Sequence, residues 1–293
     1  MRRFTRVLIV AHCLGLPLYS LTASAEPAER IVSVGGDVTE ILYAIGAGER
    51  IIAVDTTSRY PAEATALPNV GYMRRLSAEP ILALAPDHII AVADAGPKDA
   101  ITILRRAGVR FTEIPDEPTV EGALAKIHAV AVATGQTERG TALAEDTASR
   151  VQAALASVPK DQPKPRALFL LSVGRGALMA GGRDSSADAM IKLAGGENIA
   201  TGFSGYKPFE PEAMLALNPE IIIVTKRTMT ALGGVEQMRA QPQFATTKAA
   251  ATGRIVAFDG ALLLGFGARL ASAIEMLTAA FYPTAPEVAG KQG

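Results

Sequence analysis

Short apolar runs rich in branched side chains alternate with stretches of helical period along most of the chain. The runs at 30–34, 51–54, 88–92 and 109–114 read as strands. Helical period covers 77–85, 97–107 and 119–134, and Gly46, Gly108 and Gly135 stand where helices close. Asp37-Val38-Thr39-Glu40 has the form of a capping-box variant opening the first helix. After residue 166 the alternation resumes, with strands at 167–171, 221–224 and 254–258 and helices at 185–194, 210–217 and 267–281. Strands alternating with helices in this way predict parallel sheets with helices on their faces.

One stretch breaks the rhythm. Residues 137–157 form a single uninterrupted helical run, with Leu143, Val151, Leu155 and Val158 on a rough stripe. At 1.5 Å per residue it is about 31 Å long. Pro159, Pro163 and Pro165 follow closely, and prolines at that density end both helix and sheet. The chain therefore divides into an α/β lobe over 26–136, a connecting helix over 137–159 and a second α/β lobe over 160–293. An internal echo supports two equivalent lobes. Ser77-Ala78-Glu79-Pro80-Ile81-Leu82-Ala83-Leu84-Ala85-Pro86-Asp87 is matched by Glu210-Pro211-Glu212-Ala213-Met214-Leu215-Ala216-Leu217-Asn218-Pro219-Glu220. Each has an early Glu, a Leu-Ala-Leu helix and a Pro-acid step into a strand.

The first 25 residues belong to neither lobe. Arg2, Arg3 and Arg6 precede an apolar stretch from Val7 to Leu21, and Ala23-Ser24-Ala25 closes it. That is the form of a cleaved secretory signal, too short in its apolar part for the roughly 20 residues that span a bilayer. Removal of 1–25 takes away Cys13, the only cysteine, and leaves a net charge of −3. A chain with so little charge imbalance is not a non-specific nucleic-acid binder.

Motifs for common chemistries are missing. There is no G-x-S-x-G elbow, no phosphate loop, and neither Gly46-Ala47-Gly48 nor Gly174-Arg175-Gly176 continues to a third glycine at dinucleotide spacing. Two histidines remain, His88 and His128, and both fit structural positions. The candidate site is Gly71-Tyr72-Met73-Arg74, on the connection that follows the second strand, where ligands of α/β proteins collect. A phenolate is a hard anionic donor suited to ferric iron, and tyrosine is a haem ligand elsewhere. A guanidinium two residues on favours the charged phenolate and can pair with a propionate. Packing of Tyr72 in a loop beside a solvated Arg74 is the competing reading, and Tyr60 and Tyr206, also on loops, are rival ligands.

These residues resemble the periplasmic haem-binding proteins of bacterial haem-import ABC systems, within the larger group of cobalamin and ferric-siderophore binding proteins. The likeness runs over 30–283. It rests on Arg30-Ile31-Val32-Ser33-Val34-Gly35-Gly36, Gly71-Tyr72-Met73-Arg74, the Ser77 to Asp87 segment, Met179-Ala180-Gly181-Gly182 and Leu264-Gly265-Phe266-Gly267. The resemblance implies two Rossmann-like lobes with parallel-type sheets joined by a long rigid backbone helix. It implies a periplasmic carrier, not an enzyme, that holds haem in the interlobe cleft through a Tyr72 tyrosinate, with Arg74 beside it and Arg227 approaching from the second lobe. No histidine follows His128, so five-coordinate iron is expected, with Met179 or Met229 as a weak sixth ligand. Glu79 and Glu212 match the paired glutamates that dock such carriers on a permease dimer driven by a cytoplasmic ATPase, with an outer-membrane haem receptor upstream. Each glutamate also sits where it favours its own helix N-terminus. The alternative ligands are cobalamin or a ferric siderophore; a secreted α/β enzyme is the weaker rival.

Overall fold

The computed structural model describes residues 29–172 and 178–283. The expected signal, 1–25, and Gly174-Arg175-Gly176 lie outside the described residues. The first lobe runs β1 (Ile31–Val34), α1 (Gly36–Ala44), β2 (Ile51–Val54), α2 (Ala78–Ala83), β3 (His88–Val92), α3 (Lys98–Arg106), β4 (Arg110–Ile114) and α4 (Val120–Ala133). Its sheet has the order β2-β1-β3-β4 and every pair is parallel. β1 and β3 are buried throughout, as strands covered by helices on both faces must be.

His88 sits fully buried at the start of β3, with Nε2 2.8 Å from the Thr112 hydroxyl and Nδ1 2.8 Å from the Arg110 guanidinium. Burial pushes its pKa down to about 4. Glu29 also approaches Nδ1, but that carboxylate is already engaged by Arg50 and Arg110. The structural role expected for His88 follows.

α5 (Thr137–Ala156) is the long helix read from the sequence. It lies against α4, and Val151 and Ala154 join the core of the second lobe. That lobe continues with β5 (Arg166–Ser172), β6 (Leu178–Gly181), α6 (Ser186–Leu193), β7 (Glu197–Asn198), β8 (Tyr206–Pro208), α7 (Pro211–Leu217) and β9 (Ile221–Thr225). Four short helices follow: α8 (Lys226–Ala231), α9 (Val235–Ala240), α10 (Pro242–Ala245) and α11 (Lys248–Ala251). β10 (Ile255–Phe258), α12 (Gly260–Leu264) and α13 (Leu270–Phe281) complete it. The sheet order is β10-β9-β5-β6-β8, with β7 beside β5. β10, β9 and β5 are parallel, but β6 and β8 extend the sheet antiparallel. This mixed edge departs from the all-parallel pattern of the first lobe.

The Asp37 segment differs from the capping box expected of it. Gly35 occupies the cap position and no side chain caps the helix. Asp37 instead accepts from Lys126, a lysine with no exposed surface, which also donates to Asp116 at 2.7 Å and to the Gly265 carbonyl at 2.6 Å. Burial opposes the Lys126 charge, but the two carboxylates outweigh it and raise its pKa. Glu40, one turn on, is held by Arg269: Nε donates at 2.8 Å and the backbone N–H at 3.1 Å. Local capping loses because both acids face the other lobe, where an unpaired buried charge is costly. Gly36 lets this helix end approach so closely; a Cβ there meets the Thr57 carbonyl oxygen at 2.4 Å.

Candidate functional site

The site is assembled at the C-terminal ends of the first sheet's strands. Beyond β2 the chain doubles back: Val54 N–H donates to the Pro68 carbonyl and Val70 N–H to the Val54 carbonyl, each at 2.9 Å. The Asn69 side chain accepts from Gly71 N–H at 2.8 Å. Gly71 takes φ +97°, a conformation that strains any other residue. Tyr72 follows in extended conformation and opens one turn of 3₁₀ helix at Met73–Arg75. Met73 and Leu76 are buried and anchor the turn, which leaves Tyr72 half-buried against the core and Arg74 exposed.

The two residues singled out in the sequence are brought together. Arg74 Nη1 donates to the Tyr72 hydroxyl at 2.9 Å, and Nη2 pairs with Asp94, on the connection after β3. Burial alone pulls the guanidinium down; the bonds to Asp94 and Tyr72 more than offset it and raise its pKa. Asp94 escaped the sequence reading. An acid just past the end of a strand, on the same sheet edge as the candidate tyrosine, was the signal that could have found it.

The rival tyrosines separate clearly. Tyr60 is stacked under the Arg269 guanidinium, 3.7 Å from its ring centre, and so serves the interlobe contact. Tyr206 opens β8 in the second lobe, close enough to Arg74 to feel its charge. Its hydroxyl lies 2.8 Å from Ser186 Oγ and accepts from Ala187 N–H at 3.3 Å. Burial raises its pKa against these bonds and against Arg74. Tyr206 is thus a neutral phenol with its oxygen already engaged, whereas Tyr72 has a single partner, Arg74.

Arg227 lies in the first turn of α8, just beyond the C-terminal end of β9, exposed and with no ion pair among the described residues. Met229 packs against the core under α8, and Met179 lies half-buried on β6. Glu79 and Glu212 are both exposed in the first turns of α2 and α7. Among the described residues no three His, Cys, Asp or Glu side chains gather into a cage for a bare metal ion.

A model of the periplasmic binding protein family matches residues 31–262. The chain belongs to that family. It is a solute-binding protein rather than an enzyme. Its fold matches the periplasmic haem-binding protein RhuT from Roseiflexus sp. RS-1 with a TM-score of 0.84 and 39% identity, covering 87% of this chain and 98% of that one. It matches BhuT, a periplasmic haem-binding protein in complex with two haems, with a TM-score of 0.80 and 38% identity over 86% and 97% of the two chains. A vitamin B12-binding protein of Vibrio parahaemolyticus serotype O3:K6 is 30% identical over 221 residues, 74% of this chain and 79% of that one. Among the described residues no helix is long and apolar enough to cross a membrane.

Proposed function

We propose that this carrier binds ferric haem between its lobes, with the Tyr72 oxygen on the iron, and delivers it from the periplasm to an ABC permease. The observation that carries the reading is the Tyr72–Arg74 pair at the sheet edge, with Tyr206 of the other lobe near enough to sense Arg74. One phenol oxygen cannot hold a free ion, so the metal must arrive already chelated. Ferric haem has an open axial position that favours a hard anionic donor. A cobalamin cobalt carries its own axial base, and a saturated siderophore leaves its iron no vacancy. Arg227, exposed and unpaired among the described residues, is suited to a haem propionate. The haem-binding names of RhuT and BhuT support the same ligand.

The vitamin B12-binding relative keeps cobalamin as the second reading. Titration of the purified protein with hemin and with cyanocobalamin separates the two. Hemin is expected to saturate the protein and to resist displacement by cyanocobalamin. Saturation by cyanocobalamin with no ferric haem spectrum replaces the proposal with the second reading.

Glu79 and Glu212 then serve as the docking pair. One carboxylate on each lobe can meet a basic pocket on each half of a two-fold permease, which fixes orientation. Glu79→Ala together with Glu212→Ala is expected to abolish stimulation of the permease ATPase while hemin affinity stays at the wild-type value. Full stimulation by the double variant removes the docking role.

A further inference from the structure

Arg74 stands between two groups, and only one of them is the proposed iron ligand. Its Nη1 donates to the Tyr72 hydroxyl at 2.9 Å, while Nη2 pairs with the Asp94 carboxylate. The two loops are stitched together at this point. Gly96 N–H donates to the Met73 carbonyl and Leu76 N–H to the Gly96 carbonyl, both at 2.8 Å. At its base the Asp94 loop is tied back to the sheet, by Ala93 N–H to the Ile114 carbonyl at 2.8 Å and Ala95 N–H to the Val92 carbonyl at 2.9 Å. Asp94 is therefore delivered to Arg74 by rigid backbone and not by chance approach of two mobile side chains.

The pair is half exposed, 51% for Arg74 and 54% for Asp94, and a pair so placed contributes little to folding stability. Its value lies in geometry. A long arginine side chain left alone on a sheet edge samples many rotamers, and anchoring one arm of the guanidinium fixes where the other points. A flat ligand laid over the site removes water from the pair and strengthens it.

We infer that Asp94 is a positioning residue, which acts through Arg74 to hold the guanidinium on the Tyr72 oxygen when haem is bound. The inference rests on the tyrosinate reading above. It goes beyond that reading by adding a third residue and the order in which the three act: Asp94 on Arg74, and Arg74 on Tyr72.

Release of haem to an excess of apomyoglobin, and the phenolate-to-iron charge-transfer band, test it. Partners of this outer kind are worth about 10–100-fold in metal affinity. Asp94→Asn is expected to speed release by about 10-fold and to shift the band, and Asp94→Glu to restore both. In an Arg74→Ala background Asp94→Asn is expected to change neither. Wild-type release by Asp94→Asn, or an equal effect with and without Arg74, overturns the inference. Tyr72→Phe, measured alongside, keeps the two ideas apart. A phenolate band that survives Tyr72→Phe sinks the tyrosinate reading itself. A band lost there beside a wild-type Asp94→Asn sinks only the role of Asp94.

Discussion

Replacing Lys126 by Met is expected to lower the free energy of unfolding by about 3–5 kcal/mol, the range for removing one partner from a buried ion pair. Lys126 has no exposed surface and holds three acceptors: Asp37, Asp116 and the Gly265 carbonyl. The first two come from the first lobe and the third from the second. Met fills similar volume but leaves two carboxylates facing each other without a cation. Burial, with the Asp37 charge, already pushes the Asp116 carboxyl up against the pull of Lys126. Adding Asp37→Asn is expected to recover part of the loss, because one of the stranded charges goes. Urea unfolding of the three proteins measures both effects. A loss below about 1 kcal/mol for Lys126→Met means that the ammonium is dispensable and that Glu40–Arg269 and the α5 packing set the lobe contact alone.

Tyr72→Phe is expected to weaken hemin binding by at least about 100-fold, the upper end of what an outer-shell partner is worth. The ring stays in place against the core, so the fold is kept while the oxygen is lost. No other phenol can take its place. Tyr206 has its hydroxyl on Ser186 and Ala187, and Tyr60 lies under Arg269. The purified variant is expected to show no tyrosinate band with hemin and an unchanged unfolding midpoint. Wild-type affinity in Tyr72→Phe places the iron elsewhere.

Much of the fold was legible because local pattern and tertiary environment agree. The strands at 51–54 and 88–92 have the bounds read from the sequence, and the long helix ends within one residue of the expected place. The antiparallel edge was not legible. β6 and β8 are short and carry Gly181 or Pro208, so neither has a run long enough to show a period. The interlobe charges were not legible either. Asp37 and Lys126 are 89 positions apart and Glu40 and Arg269 are 229 apart, distances over which sequence pattern says nothing. A local motif at Asp37 pointed to a helix cap, and a tertiary ion pair took the residue instead. At the site, Tyr72 and Arg74 were legible because they sit two apart on one loop. Asp94 was not, because its place beside them depends on two strands lying next but one in the sheet.

The central claim is that a single phenol oxygen from the first lobe holds ferric haem between the lobes. A crystal structure of the protein with hemin tests it most directly. The account predicts a porphyrin in the cleft with the Tyr72 oxygen bonded to iron and Arg74 still on that oxygen. Haem iron bound by another side chain, or a porphyrin seated away from Tyr72, contradicts it.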